Sequence, residues 1–199
     1  MPLRNIPSLV PKAAPPYLFI MQIRILLLPA LALMTVPALA QHRAPAPKSS
    51  HATPAPPHPI GKFEEWTVAT HQEAGQTVCY ALTRALSSSP ALPGRGDVVL
   101  TVTQRPGGVR DSVAISAGFA YAPNAEVSLQ VDQTNFSLYT AQRSAFAKNG
   151  HAAVVAFAHG RQAVAKSPGP RNTVVTDTFS LRGFSPAFAA VNKACSVKG

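Results

Sequence analysis

The chain has 199 residues, with 18 Lys plus Arg against 8 Asp plus Glu and a formal net charge of +10. All the acids, all the glycines and both cysteines lie after residue 60, whereas the first 60 residues hold 13 of the 20 prolines and five basic groups. The 139 residues that follow carry +5, a length that allows one domain with a real core and excludes two ordinary ones.

The leader comes first. Residues 25–40 form an apolar run behind Arg24 and close on Ala38-Leu39-Ala40. A short apolar stretch behind a positive charge, ending in small residues, reads as a secretory signal peptide cleaved between Ala40 and Gln41. The run has 16 residues and is interrupted by Pro29 and Pro37, whereas a spanning helix needs about 20. The mature protein is therefore expected to lack a transmembrane segment. Met21 opens a more compact version of the same signal, which suggests that it is the true start. Residues 41–60 contain six prolines among Ala, Ser and His, a composition that favours an extended polyproline spacer. His42, His51 and His58 match no metal-ligand spacing. The expected organisation is a signal peptide over 1–40, a Pro-rich linker over 41–60 and a domain over 61–199.

Within the domain, period-two runs dominate. They predict strands over 63–70, 77–83, 97–104, 110–118, 126–131, 135–140, 162–167 and 173–181. The segment Asp132-Gln133-Thr134 joins two of them as a hairpin. Turn chemistry separates the others: Pro93-Gly94-Arg95-Gly96, Pro106-Gly107-Gly108, Pro123-Asn124 and Pro168-Gly169-Pro170. About eight short strands at this spacing mean an all-β sandwich or barrel.

Two segments break the pattern. Residues 150–159 fit a short helix with Asn149 at its cap and Gly160 beyond its end, although propensity supports a strand almost as well. At the C-terminus Ser185 is expected as N-cap and Pro186 as the first helical residue. Phe188, Val191 and Cys195 then share one helix face, so Cys195 points to the core.

Two cysteines in an exported chain most often pair. A Cys79–Cys195 bond would pin the last helix across the sheet. Two free thiols and a redox pair are the rivals, the latter disfavoured because no Cys-x-x-Cys is present.

Catalytic chemistry is sparse. There is no Gly-x-Ser-x-Gly elbow. His71 follows a strand and reads as a loop residue, His151 and His159 lie eight apart, too far for a helix-borne zinc pair, and no metal or cofactor is expected. Most acids fall at strand ends. Asp177 lies inside a strand-like run, where a structural ion pair with Arg171 or Arg182 is more plausible than a catalytic role. The domain shows no Lys/Arg cluster and no nucleic-acid motif; the charge fits nonspecific attraction to an anionic envelope or surface component.

Several segments in order carry a resemblance. They are Glu65-Trp66-Thr67-Val68, Cys79-Tyr80, Val102-Thr103-Gln104-Arg105-Pro106, Ala117-Gly118-Phe119, Ala145-Phe146-Ala147 and Arg171-Asn172-Thr173. Asp177-Thr178-Phe179-Ser180-Leu181-Arg182-Gly183-Phe184 and a closing helix to Cys195 complete the set. Over residues 61–197 the chain resembles the invasion-associated locus B family of exported bacterial proteins. The resemblance implies an immunoglobulin-like β-sandwich outside the cytoplasm, and it carries over no catalytic residue. The expectation is an exported, non-enzymatic binding domain in the periplasm or at the cell surface. The alternatives are an envelope hydrolase with a site near Asp177 or His159, and a structural or stress-related envelope protein.

Overall fold

Alternation of inward and outward side chains sets the architecture. The computed structural model describes residues 56–196. The expected signal peptide, its expected Ala40–Gln41 cleavage point and most of the stretch read as a Pro-rich linker, with His42 and His51, lie outside the described residues. Among the described residues eleven strands form: β1 (His58–Phe63), β2 (Trp66–Glu73), β3 (Gln76–Arg84), β4 (Ser87–Ser89), β5 (Val99–Gln104), β6 (Ser112–Ser116), β7 (Glu126–Val131), β8 (Thr134–Ala141), β9 (Ser144–Ala147), β10 (Gln162–Pro168) and β11 (Val174–Ser180). Two helices accompany them, α1 (Gly150–His159) and α2 (Phe184–Ala194). Among the described residues no helix is long and apolar enough to cross a membrane.

The strands make one antiparallel sheet in the order β1-β2-β3-β5-β6-β9-β8-β7-β10-β11-β4. That sheet folds back on itself into a sandwich. Trp66 of β2 donates its indole N–H to the Ser180 carbonyl of β11 at 3.2 Å, although the two strands stand near opposite ends of the order. The β3–β4 connection closes the same side, with Leu86 N donating to Thr178 O at 2.7 Å. Inward residues of both layers merge in one core, where Val68, Leu100, Val102, Ile115, Leu129 and Phe179 are essentially inaccessible. Burial of this kind is worth about 1.5–3 kcal/mol for each large apolar side chain.

Eight of the strands are those expected; β1, β4 and β9 are additional. β1 carries Pro59 and Gly61, which read as breakers, yet it is an edge strand, where a proline leaves no ladder bond unmade. It begins at His58, inside the stretch read as linker. β4 is three serines with no apolar signal, and β9 is only four residues long. Glu64 and Glu65 do not sit on a strand: they turn the chain from β1 into β2, with Glu64 at φ 50°.

Helix α1 forms as its cap suggests. The Asn149 side chain accepts from Ala152 N at 3.0 Å, and Gly160 ends the helix by donating its N–H to Ala156 O at 2.8 Å. Ala153, Val154 and Phe157 are its buried face. Helix α2 starts two residues earlier than expected. Its N-cap is Gly183, not Ser185, at φ 84°. A β-carbon there would sit 2.1 Å from the Phe63 carbonyl oxygen, so both the backbone angle and the close approach of β1 require glycine. Ser185 is in the first turn and donates to Ala158 O at 3.2 Å, which ties the two helices together. Phe184, Ala187, Val191 and Cys195 face inward, and Phe188 sits on the shoulder of that face. Phe184 packs edge-on against Trp66 (4.9 Å) and Phe157 (5.4 Å). Cys195, at the end of α2, is bonded to Cys79 of β3 with Cα atoms 5.8 Å apart. The helix is therefore fixed to the sheet by packing at one end and covalently at the other.

Candidate functional site

Asp177 projects inward from β11, in register with Val175 and Phe179, and is 2% exposed. A carboxylate at such a position demands a partner. That partner is neither Arg171 nor Arg182. It is Arg95, from the Gly94-Arg95-Gly96 turn. Arg95 Nη1 and Nη2 donate to the two Asp177 oxygens at 2.8 Å each, in bidentate geometry. Ser88 Oγ of β4 adds a third donor at 2.7 Å. Arg95 also donates from Nε to Ala117 O at 2.7 Å, and its guanidinium lies 5.2 Å from the Phe119 ring centre. The turn can approach this closely because Gly118 has no β-carbon; one would fall 2.4 Å from Gly96 O. Arg182 instead pairs with Glu64 at 2.9 Å on the surface. Arg171 sits on the β10–β11 turn and makes no salt bridge among the described residues.

The histidines stay apart from this network. His159 is exposed at the end of α1. His151 Nδ1 meets Asp111 Oδ2 at 2.7 Å; the other Asp111 oxygen accepts from buried Gln104 at 2.6 Å. His71 stacks edge-on with Tyr80 at 5.5 Å. Among the described residues no three His, Cys, Asp or Glu side chains group as metal ligands. Both Asp177 oxygens accept from Arg95, and Oδ1 accepts from Ser88 as well, so the buried carboxylate ties the Arg95 turn and β4 to β11.

Beside this network lies a groove of about 850 Å³, formed by residues 120–122 and 166–174 with Glu126. Its wall is the β10–β11 hairpin. Arg171 (φ 55°) and Asn172 (φ 58°) are both left-handed, as a type I′ turn needs. Pro170 O accepts from Thr173 N at 3.2 Å and from Thr173 Oγ at 2.8 Å. Asparagine adopts this conformation readily; arginine does so at a cost of roughly 1 kcal/mol. On the other wall Tyr121 packs edge-on against Phe119 at 5.2 Å. Burial pushes the Tyr121 hydroxyl pKa above the usual tyrosine value; the Asp177 carboxylate adds to the shift, and Ser167 and Arg95 oppose it. Ser167, 3% exposed on the inward face of β10, lies near that hydroxyl but makes no hydrogen bond of proper geometry among the described residues. Glu126 is held by Lys148 at 2.7 Å, and this hydrogen bond and the ammonium charge lower its pKa. Lys166 and Arg171 are exposed and have no acidic partner among the described residues.

Arg95, Tyr121 and Ser167 were not marked as site residues by sequence. The one usable signal was the inward register of Asp177, which called for a cation without saying which.

Comparison with known proteins fits this architecture. The model of the family described as "Invasion associated locus B (IalB) protein" matches residues 66–192. The crystal structure of invasion associated protein B from Bartonella henselae superposes with a TM-score of 0.50 at 15% identity, covering 70% of this chain and 98% of that one. At that identity the likeness concerns the fold. No curated protein matches the chain. The family match spans most of the sandwich, from the indole that joins its layers into the helix that closes it, and the chain belongs to the invasion associated locus B family.

Proposed function

We propose that the chain is an exported, non-enzymatic binding domain that acts in the periplasm or at the cell surface, held on a Pro-rich tether after its signal peptide is removed between Ala40 and Gln41. The groove beside Tyr121 carries this reading. It gathers a buried Ser167 hydroxyl that makes no hydrogen bond of proper geometry, a half-buried tyrosine and two cations, Lys166 and Arg171, that have no acidic partner among the described residues, in a space of small-ligand size. The Cys79–Cys195 bond supports export, because such bonds persist in oxidising compartments. The net positive charge supports an anionic envelope or surface component as partner.

Sedimentation tests the reading. The exported chain is mixed with envelopes isolated from its own host at moderate salt, and the envelopes are pelleted. Saturable retention with no fragment released from the envelope is expected. Loss of retention, or release of cleaved material, would overturn it.

A further inference from the structure

Resting on the binding reading above, we propose that the groove recognises an anionic sugar, a ring carrying a carboxylate or a phosphate.

Charge gives the sign. Of the ionisable side chains lining the groove, Glu126 is neutralised by Lys148 at 2.7 Å. Lys166 and Arg171 are exposed and form no salt bridge among the described residues. The net local charge is positive and belongs to two groups, enough for one acidic substituent and far short of a nucleic-acid track.

Polarity and shape give the class. Tyr121, Pro168, Pro170 and Val174 present apolar surface, and Val174 is 67% exposed despite its size. Interleaved with them is the exposed Asn172 amide, and beneath the groove's floor lies the Ser167 hydroxyl. A sugar ring offers the same alternation, C–H faces beside hydroxyls. An acyl chain does not, since it would leave the Ser167 hydroxyl without a partner in a drier site. An extended peptide is disfavoured by topology. β10 is paired with β7 only as far as Lys166 and β11 with β4 only from Thr176 on, so the edges left at the groove are the two-residue ends 167–168 and 174–175, and Pro168 among them has no N–H to offer a peptide backbone. The volume of about 850 Å³ lies within the ordinary range for small-molecule sites.

Ser167 separates a ligand donor from a structural one. A buried hydroxyl without a partner contributes nothing to folding, so its removal is neutral or stabilising. A hydroxyl that already bonds to Tyr121 would cost stability when removed.

Calorimetric titration of the disulfide-intact exported chain tests the proposal. The probes are trigalacturonate, glucose 6-phosphate, neutral maltotriose and inorganic phosphate. At least one acidic sugar is expected to bind saturably, at least ten-fold more tightly than maltotriose and inorganic phosphate. Preference for trigalacturonate assigns a carboxylate as the recognised group, and preference for glucose 6-phosphate a phosphate. Lys166→Ala and Arg171→Ala should each weaken that binding several-fold. Ser167→Ala should weaken it while the thermal midpoint holds or rises. Absence of saturable binding by either acidic sugar, equal binding of maltotriose, or indifference to loss of both cations would overturn the proposal. So would a Ser167→Ala variant that binds normally. If envelopes retain the chain and no acidic sugar binds, only the ligand class falls; if envelopes do not retain it either, the binding reading falls as well.

Discussion

Replacing Asp177 with asparagine probes the centre of the fold. The side chain keeps its shape and loses its charge. It is 2% exposed and accepts three short hydrogen bonds, two from Arg95 at 2.8 Å and one from Ser88 at 2.7 Å. Arg95, whose side chain is 6% exposed, would then be a buried cation without a counter-charge. Breaking such a pair from one side costs about 3–5 kcal/mol, because the remaining charge has already given up its water. For a domain of this length each kcal/mol moves the thermal midpoint by roughly 3 °C, so a fall on the order of 10 °C is expected. Arg95→Met should behave similarly. The double variant Asp177→Leu/Arg95→Met should lose much less than the two single losses added together, since apolar groups of similar volume replace a buried pair at little net cost. Urea unfolding with the disulfide intact reads all of this. Trp66, the single tryptophan and fully buried, serves as the fluorescent probe. Single-variant losses under about 1 kcal/mol that simply add would refute the reasoning.

Removing the Cys79–Cys195 bond by a double alanine substitution releases a loop of 116 positions; the chain-entropy model puts the loss at roughly 4–5 kcal/mol, checked by the urea midpoint against the parent. Gly183→Ala should destabilise far more than Gly75→Ala: both have positive φ, but only at Gly183 would the new β-carbon strike a backbone oxygen, at 2.1 Å, whereas the space at Gly75 is open. Equal thermal midpoints for those two variants would contradict the packing of β1 on α2. Tyr121 gives a pH signature. Its folded pKa is raised by burial, so above the ordinary tyrosine value the unfolded chain releases its proton first and stability falls as pH rises towards the folded pKa. Below that window the stabilisation is fully present. Tyr121→Phe should remove this part of the alkaline loss, seen in thermal midpoints measured across the alkaline range.

Much of the fold was legible because burial on one face imposes a period of two. Val127, Leu129 and Val131 are inward, and their neighbours in β7 are exposed. The cap at Asn149 and the pairing of the two cysteines were legible for local or compartmental reasons. β1, β4 and β9 were not, because an edge strand with proline, a run of serines and a four-residue strand carry no amphipathic signal; their existence depends on the strands beside them. Asp177 stood out, but its partner did not. Arg95 lies 82 positions away, on a turn whose glycines read only as a turn, and just the three-dimensional approach of Gly96 to Gly118 brings it to β11. The groove was invisible for the same reason. Tyr121 comes from the loop after β6, Ser167 and Lys166 from β10 and Arg171 from a hairpin turn, and none bears a motif of its own.

The most direct test of the proposed binding through this groove is amide chemical-shift mapping of the chain from Gln41 onward during titration with solubilised acidic glycan from the envelope of its host. The expected result is saturable movement concentrated in residues 120–126 and 166–174, with the glycan recovered intact. Shifts centred elsewhere, no saturable shift, or a cleaved glycan would contradict it.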